Sequence, residues 1–196
     1  MKALQPKLLL VAGTILVAAL FRLVPHWPNF TPMAAIALMG GALFRSYGMR
    51  IAIPMLALLI SDYLTVTLIN YKWVTPTEYF SSVQTAFVYL GFLSNILVGF
   101  VMHRSLSKIN LGSASYSAKL AGASLTTAVL FFLISNYGSW IGGMSFGASN
   151  LAEVYMLGIP FFGYNLLGDV FYSFVFFGFL QVIGERYPAL SLRKAH

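Results

Sequence analysis

Cysteine is absent from this 196-residue chain, and acid is scarce, with five Asp and Glu against twelve Lys and Arg. Without Cys there is no disulfide and no thiolate to hold a metal. Charged residues make up 9% of the sequence, too few to cover a soluble domain of this size. The three histidines, His26, His103 and His196, lie far apart, and none pairs with Glu at metal-ligand spacing. A nucleotide-binding phosphate loop is also missing. The expectation is therefore a non-enzyme with no catalytic residue, no cofactor and no metal.

What is present is apolar. Hydrophobic residues reach 59% and aromatics 16%, with a mean hydropathy of +0.80. The apolar residues fall into runs of membrane-spanning length, so the whole chain, 1–196, reads as one all-α transmembrane domain. Six spans are expected: Leu8–Val24, Pro32–Phe44, Ile51–Ile69, Tyr79–Met102, Ala118–Tyr137 and Ile159–Ile183. The second is short. Pro32 suits a first helical position there, and Gly184 suits the stop of the sixth span. Leu8–Phe21 after Lys2 and Lys7 has the outline of a signal peptide, but Ala18-Ala19-Leu20-Phe21-Arg22 is a poor cleavage site. A retained first helix is expected.

The polar breaks orient these spans. With a cytoplasmic N-terminus, Lys2, Lys7, Arg45, Arg50, Arg104, Lys108, Lys119, Arg186, Arg193 and Lys194 lie inside. Only Arg22 and Lys72 lie outside. That asymmetry predicts a multi-pass protein of the cell (cytoplasmic or inner) membrane with both termini cytoplasmic. The net charge of +7 then meets anionic lipid head groups rather than nucleic acid.

Polar residues within the apolar runs mark a candidate pocket. Asp62 and Asp169 are costly in a bilayer unless they face a cavity or a partner. Asn165, Asp169 and Tyr172 share one helical face at i, i+4 and i+7. Gln84, Asn95 and Asn136 add amides, and Asp169 is expected to be neutral or bonded to amides such as Asn136. In the first break, Trp27 and Phe30 sit between prolines and can wall an apolar pocket, with His26 and Asn29 supplying hydrogen bonds. Trp140 lies in the Gly- and Ser-rich stretch Gly138–Asn150, expected to be irregular. Asn150 with Glu153 resembles an N-cap pair, predicting a short helix before Pro160. The bland reading treats the amides as interhelical glue and Trp27, Tyr71, Trp73, Tyr79 and Trp140 as interfacial aromatics. Gly40-Gly41 behind Ala34, Ala35 and Ala37, and the ladder Ala114, Ala118, Gly122, are surfaces for close helix approach, within the chain or to a partner. Asp62 and Asp169 could formally make a protease dyad, but neither sits in a signature of that chemistry.

Four segments together carry a resemblance: Arg22…Pro25-His26…Pro28-Asn29-Phe30-Thr31-Pro32…Ala35…Gly40-Gly41, Ser61-Asp62, Asn136-Tyr137-Gly138…Trp140, and Ile159-Pro160-Phe161-Phe162…Asn165…Gly168-Asp169…Tyr172. The chain resembles an uncharacterised family of small six-helix bacterial membrane proteins. More remotely, its layout looks like the substrate-binding S component of energy-coupling-factor (ECF) transporters. Pro28–Pro32 followed by Met33–Phe44 is similar to the loop and short second helix that close an outward pocket there. The resemblance implies binding of a small solute from outside at His26, Trp27, Asn29, Phe30, Asp62, Gln84, Asn136, Trp140, Asn165, Asp169 and Tyr172. It also implies a transmembrane coupling subunit and ATPases as partners. Many S components dock that subunit through Ala-x-x-x-Ala on the first helix; here the nearest spacing is Thr14-x-x-x-Ala18. The rival expectation is a non-transporting scaffold or assembly subunit.

Overall fold

The computed structural model describes residues 6–24, 27–44, 46–70, 72–143 and 147–190. Among them every regular element is helical. The helices are α1 (Pro6–Leu20), α2 (Met33–Leu43), α3 (Tyr47–Leu64), α4 (Pro76–Ser81), α5 (Val83–Val101), α6 (His103–Leu106), α7 (Ala114–Ile141) and α8 (Leu151–Arg186). A short 3-10 turn, Phe21–Leu23, extends α1, and a π-helical turn, Thr65–Ile69, extends α3. With these extensions α1 and α3 join α5, α7 and α8 as five helices long and apolar enough to cross a membrane. The protein is a multi-pass membrane protein by that criterion.

The short helix lies at the centre. Every residue of α2 from Ala34 to Leu43 is buried, and α2 packs on α1, α3, α5, α6, α7 and α8. Its 11 residues rise only about 16 Å. A helix sheathed by longer helices does not need to match the bilayer thickness. Its small residues make the sheath possible. A Cβ on Gly41 would stand 2.2 Å from the Ile96 carbonyl oxygen, and one on Gly99 would stand 2.6 Å from that of Leu38. The α2 and α5 backbones therefore touch through two glycines. Gly40 seats Pro54 of α3 in the same way. The Gly40-Gly41 face is thus used inside the chain.

Several expected boundaries move, each for a local reason. Pro32 is the N-cap of α2, not its first residue. The fourth span does not begin at Tyr79, because Ser82 breaks the chain and caps α5, its Oγ accepting from the Thr85 N–H at 3.1 Å. The short α4 before it starts with a capping box: Thr75 Oγ1 accepts from the Glu78 N–H, and the Glu78 carboxylate accepts from the Thr75 N–H at 2.8 Å. Helix α7 runs past Tyr137 to Ile141, so the irregular stretch starts later than Gly138. Gly138 serves contact rather than a turn: its Cβ would fall 2.1 Å from that of Phe87. Asn150 does cap a helix, accepting from the Glu153 N–H at 3.1 Å. That helix is not a separate short one. It continues through Pro160 for 36 residues as α8, about 54 Å long. Pro160 removes one intrahelical bond, while Gly158 before it and Phe162 after it pack on Phe132 of α7. Nor does Gly184 stop α8, which ends at Arg186, before Tyr187 and Pro188.

The helices set two ends apart. At one end stand the close of α1, the start of α2, α4, the start of α5, the close of α7 and the start of α8. Arg22 and Lys72 are the cations there. Lys7, Arg50, Arg104, Lys108, Lys119 and Arg186 belong to the other end. At that end Arg50 is buried, its Nε donating to the Phe44 carbonyl at 2.7 Å and its guanidinium lying over the Phe100 ring. The His103 ring bonds the Ala42 carbonyl. These contacts satisfy carbonyls at the C-terminus of α2, which the helix cannot satisfy itself.

Candidate functional site

A cavity of about 620 Å³ opens at the end where Arg22 stands. Its polar wall is made by Arg22, Asn29, Tyr79, Gln84, Asn95, Asn136, Asn165 and Asp169, with the hydroxyls of Thr31, Ser135 and Ser139. Its apolar wall is largely phenyl, from Phe92, Phe131, Phe132, Phe161 and Phe162. Of the eleven residues expected to bind the solute, Asn29, Gln84, Asn136, Asn165 and Asp169 line this cavity. They come from the first loop, α5, α7 and α8, so tertiary packing brings them together.

The loop over the cavity begins with a tight turn. The Phe30 N–H donates to the Trp27 carbonyl at 3.0 Å, with Pro28 and Asn29 between them. Asn29 has φ +62°, a left-handed conformation that Asn tolerates better than most side chains. Pro28 followed by a left-handed residue is the sequence such a turn requires. The loop then lies against α8. A Cβ on Gly168 would come within 3.1 Å of the Thr31 nitrogen, so Gly168 admits the loop beside Asp169.

Trp27 and Phe30 lie elsewhere than on the cavity wall. Phe30 packs on Phe171 and Tyr172 of α8 at ring distances of 5.7 and 5.2 Å, and Trp27 meets Tyr164 at 6.1 Å. They fasten the loop to the outside of α8. Tyr172 takes part in that fastening and stacks on Phe176. Helical spacing put Tyr172 on the face of Asp169, but the loop occupies its sector. Trp140 is half-buried in the last turn of α7, off the cavity wall. His26 is outside the described residues.

Asp62 is buried behind the wall, where it forms an ion pair with Arg22, whose Nη1 also donates to Ser61 Oγ at 2.9 Å. Arg22 thus reaches the cavity with its charge already matched. Tyr79, half-buried on α4, stands near the same pair. Burial pushes its phenol up to about 12, and the Asp62 carboxylate adds to the shift. Outside the cavity, Glu78 is held below the usual carboxylate range by the N–H and hydroxyl of Thr75.

Asp169 is 2% exposed. Its Oδ2 accepts from Asn165 Nδ2 at 3.2 Å, rather than from Asn136, which donates to the Phe132 carbonyl at 2.8 Å. Gln84 Nε2 donates to Ser139 Oγ at 3.2 Å, whose own proton goes to the Ser135 carbonyl. Asn95 is buried, and its Oδ1 has no hydrogen-bond partner. Asn95 and Arg22 were legible as polar residues of a span and a break, but nothing in their spacing ties them to Asp169.

No group of His, Asp and Glu among the described residues can hold a metal ion. Gly143-Met144-Ser145-Phe146-Gly147 has the spacing of a hydrolase nucleophile elbow, which works as a strand-to-helix turn. Here it follows helix α7, no strand occurs among the described residues, and Ser145 is outside them.

No curated protein and no solved structure matches the chain. One family model matches residues 2–190, nearly the whole length over which these helices, their cavity and its loop are built, and so the chain belongs to a family of unknown function (DUF6580).

Proposed function

We propose that this protein captures a small solute from the outer side of the cell membrane, as an S-component-like subunit of a transporter. The observation that supports this most is the cavity itself. It is about 620 Å³, in the range of pockets for small organic molecules, and it combines phenyl walls with several amides and one buried carboxyl. Interhelical glue needs no such space, and Asn95 Oδ1, without a partner, glues nothing.

In this reading α2 counts as a sixth crossing, and the basic residues gathered away from the cavity face the cytoplasm. The cavity then opens outward, with the Trp27–Phe30 turn beside it. ATP hydrolysis would belong to partner ATPases acting through a coupling subunit. Thr14 and Ala18 are buried within the bundle, so such a subunit would dock on another surface, for which the exposed Ala114–Ala118–Gly122 ladder is available.

The test is native mass spectrometry of the protein released from lipid nanodiscs. A copurified small molecule that is lost in Phe162→Asp supports capture of a solute. A chain that never carries one, yet purifies with a fixed set of envelope proteins, supports a scaffold.

A further inference from the structure

The orientation of the wall amides limits what the cavity can hold. Three wall amides have their orientation set by their partners. Asn165 Nδ2 faces a carboxylate and Asn136 Nδ2 faces a carbonyl, neither of which can donate while the carboxylate is ionised. Gln84 Nε2 faces a hydroxyl whose proton is used elsewhere. Each amide therefore turns its NH₂ toward protein. The carbonyl oxygens of Gln84, Asn136 and Asn165 accept no bond from any described residue, whereas Asn95 Oδ1, also without a partner, is sealed off from the cavity. Asp169 Oδ1 likewise accepts none, since its one bond is made through Oδ2. These oxygens can take the donor edge of a ligand, while the hydroxyls of Thr31, Tyr79 and Ser135 and the Asn29 amide stand on the rest of the wall.

Charge points the same way. Arg22 is the cation on the wall and Asp169 its carboxyl group. Arg22 is paired with Asp62, which is 1% exposed. An anionic ligand drawing Arg22 away would strand the Asp62 carboxylate in the protein interior, which is strongly unfavourable. Asp169 has an amide as its partner and no cation. The phenyl rings of Phe92, Phe131, Phe132, Phe161 and Phe162 add faces for a flat ring, with Phe132 and Phe162 only 5.0 Å apart.

We propose that the ligand is a flat nitrogen heteroaromatic with N–H donors along its edge, neutral or singly positive, and that carboxylates and phosphates are excluded. Asp169 and Gln84 read its donor edge. This rests on the solute-capture reading and names the class of solute.

The experiment is equilibrium dialysis on the full chain in phosphatidylcholine nanodiscs, with empty nanodiscs as blank. Proflavine, a flat diaminoacridine cation, is compared with acridine-9-carboxylate, a flat anion of similar size. Proflavine is expected to bind and the carboxylate to bind at least tenfold more weakly. Asp169→Asn should lower proflavine affinity tenfold or more, while Glu78→Gln, a carboxylate lost outside the cavity, should leave it unchanged. Gln84→Met guards against misfolding. It keeps the length of the side chain and leaves Ser139 its bond to the Ser135 carbonyl, so thermal stability should hold while proflavine affinity falls at least fivefold. Equal or tighter binding of the carboxylate, undiminished proflavine binding in both cavity variants, or no binding of proflavine each overturns the proposal. If native mass spectrometry then still shows a copurified molecule, solute capture stands and only the class is wrong.

Discussion

The Arg22–Asp62 pair is where residue-level reasoning departs most from the helical pattern. Asp62 sits at a depth where an ion is costly, and a cation forty positions earlier answers it. Loss of one partner leaves the other buried, so Asp62→Leu is expected to destabilise by about 2 kcal/mol, less than for a fully buried pair because Arg22 keeps some exposure. Adding Arg22→Met should restore part of that loss in a double-mutant cycle of thermal unfolding; strict additivity would show that the pair is uncoupled. Tyr79 gives a second readout of the same corner. Burial pushes its phenol up to about 12 in the folded protein, against about 10 when unfolded. The folded state thus holds its proton longer. The stability this contributes is complete below about pH 10 and is lost as pH rises toward about 12. Tyr79→Phe should flatten that alkaline decline, and an unchanged profile would show that burial does not hold this phenol protonated. The spacing of residues announced Asp62 as unusual. It could not name Arg22 as its partner, because the contact joins two helices.

At the scale of elements, the α2–α5 contact decides whether the bundle closes. Gly99→Leu would drive a side chain into the α2 backbone, and neither helix can yield without opening the core. Loss of folded protein in gel filtration is the expected outcome. Gly122 has nothing within 4 Å of a Cβ, so Gly122→Ala should be neutral or stabilise α7 by up to about 1 kcal/mol, through helix propensity alone. If the two substitutions behaved alike, the close approach would not hold the bundle. Both glycines lie in apolar runs, and the sequence alone does not separate them. The difference arises because one faces a backbone and the other faces outward. Helix α8 teaches the converse. Pro160 is a plain breaker in the sequence, but a single missing bond does not end a helix whose flanking turns are packed.

For the whole molecule, the distribution of charge predicts an orientation. The chain has no Cys, so single cysteines can be placed without background. Ser149→Cys, beside the cavity end, should react with an impermeant maleimide from outside intact cells. Ser107→Cys, at the end rich in Lys and Arg, should react only after permeabilisation. The reverse pattern would turn the cavity to the cytoplasm and remove capture from outside. The loop gives a further check. Gly168→Val would displace Phe30 and Thr31, so a captured ligand should dissociate at least tenfold faster while the helix content in circular dichroism stays at the parental value. An unchanged rate would mean that the loop does not hold the ligand in.

By itself the sequence determined that the chain is helical, that long apolar helices dominate it, that its cations are segregated, and that Asp169 and Asn165 stand one turn apart. Those properties follow from local periodicity, hydropathy and spacing, which each segment carries without its neighbours. The tertiary structure alone decided that the short α2 is the axis of the bundle, that Arg22 is matched by Asp62, that Trp27 and Phe30 fasten the loop to α8 instead of walling the cavity, and that Asn95 joins Asp169 in it. Each of these depends on which side chains meet across helices. Burial and close backbone contact settle that, and neither leaves a period in the sequence.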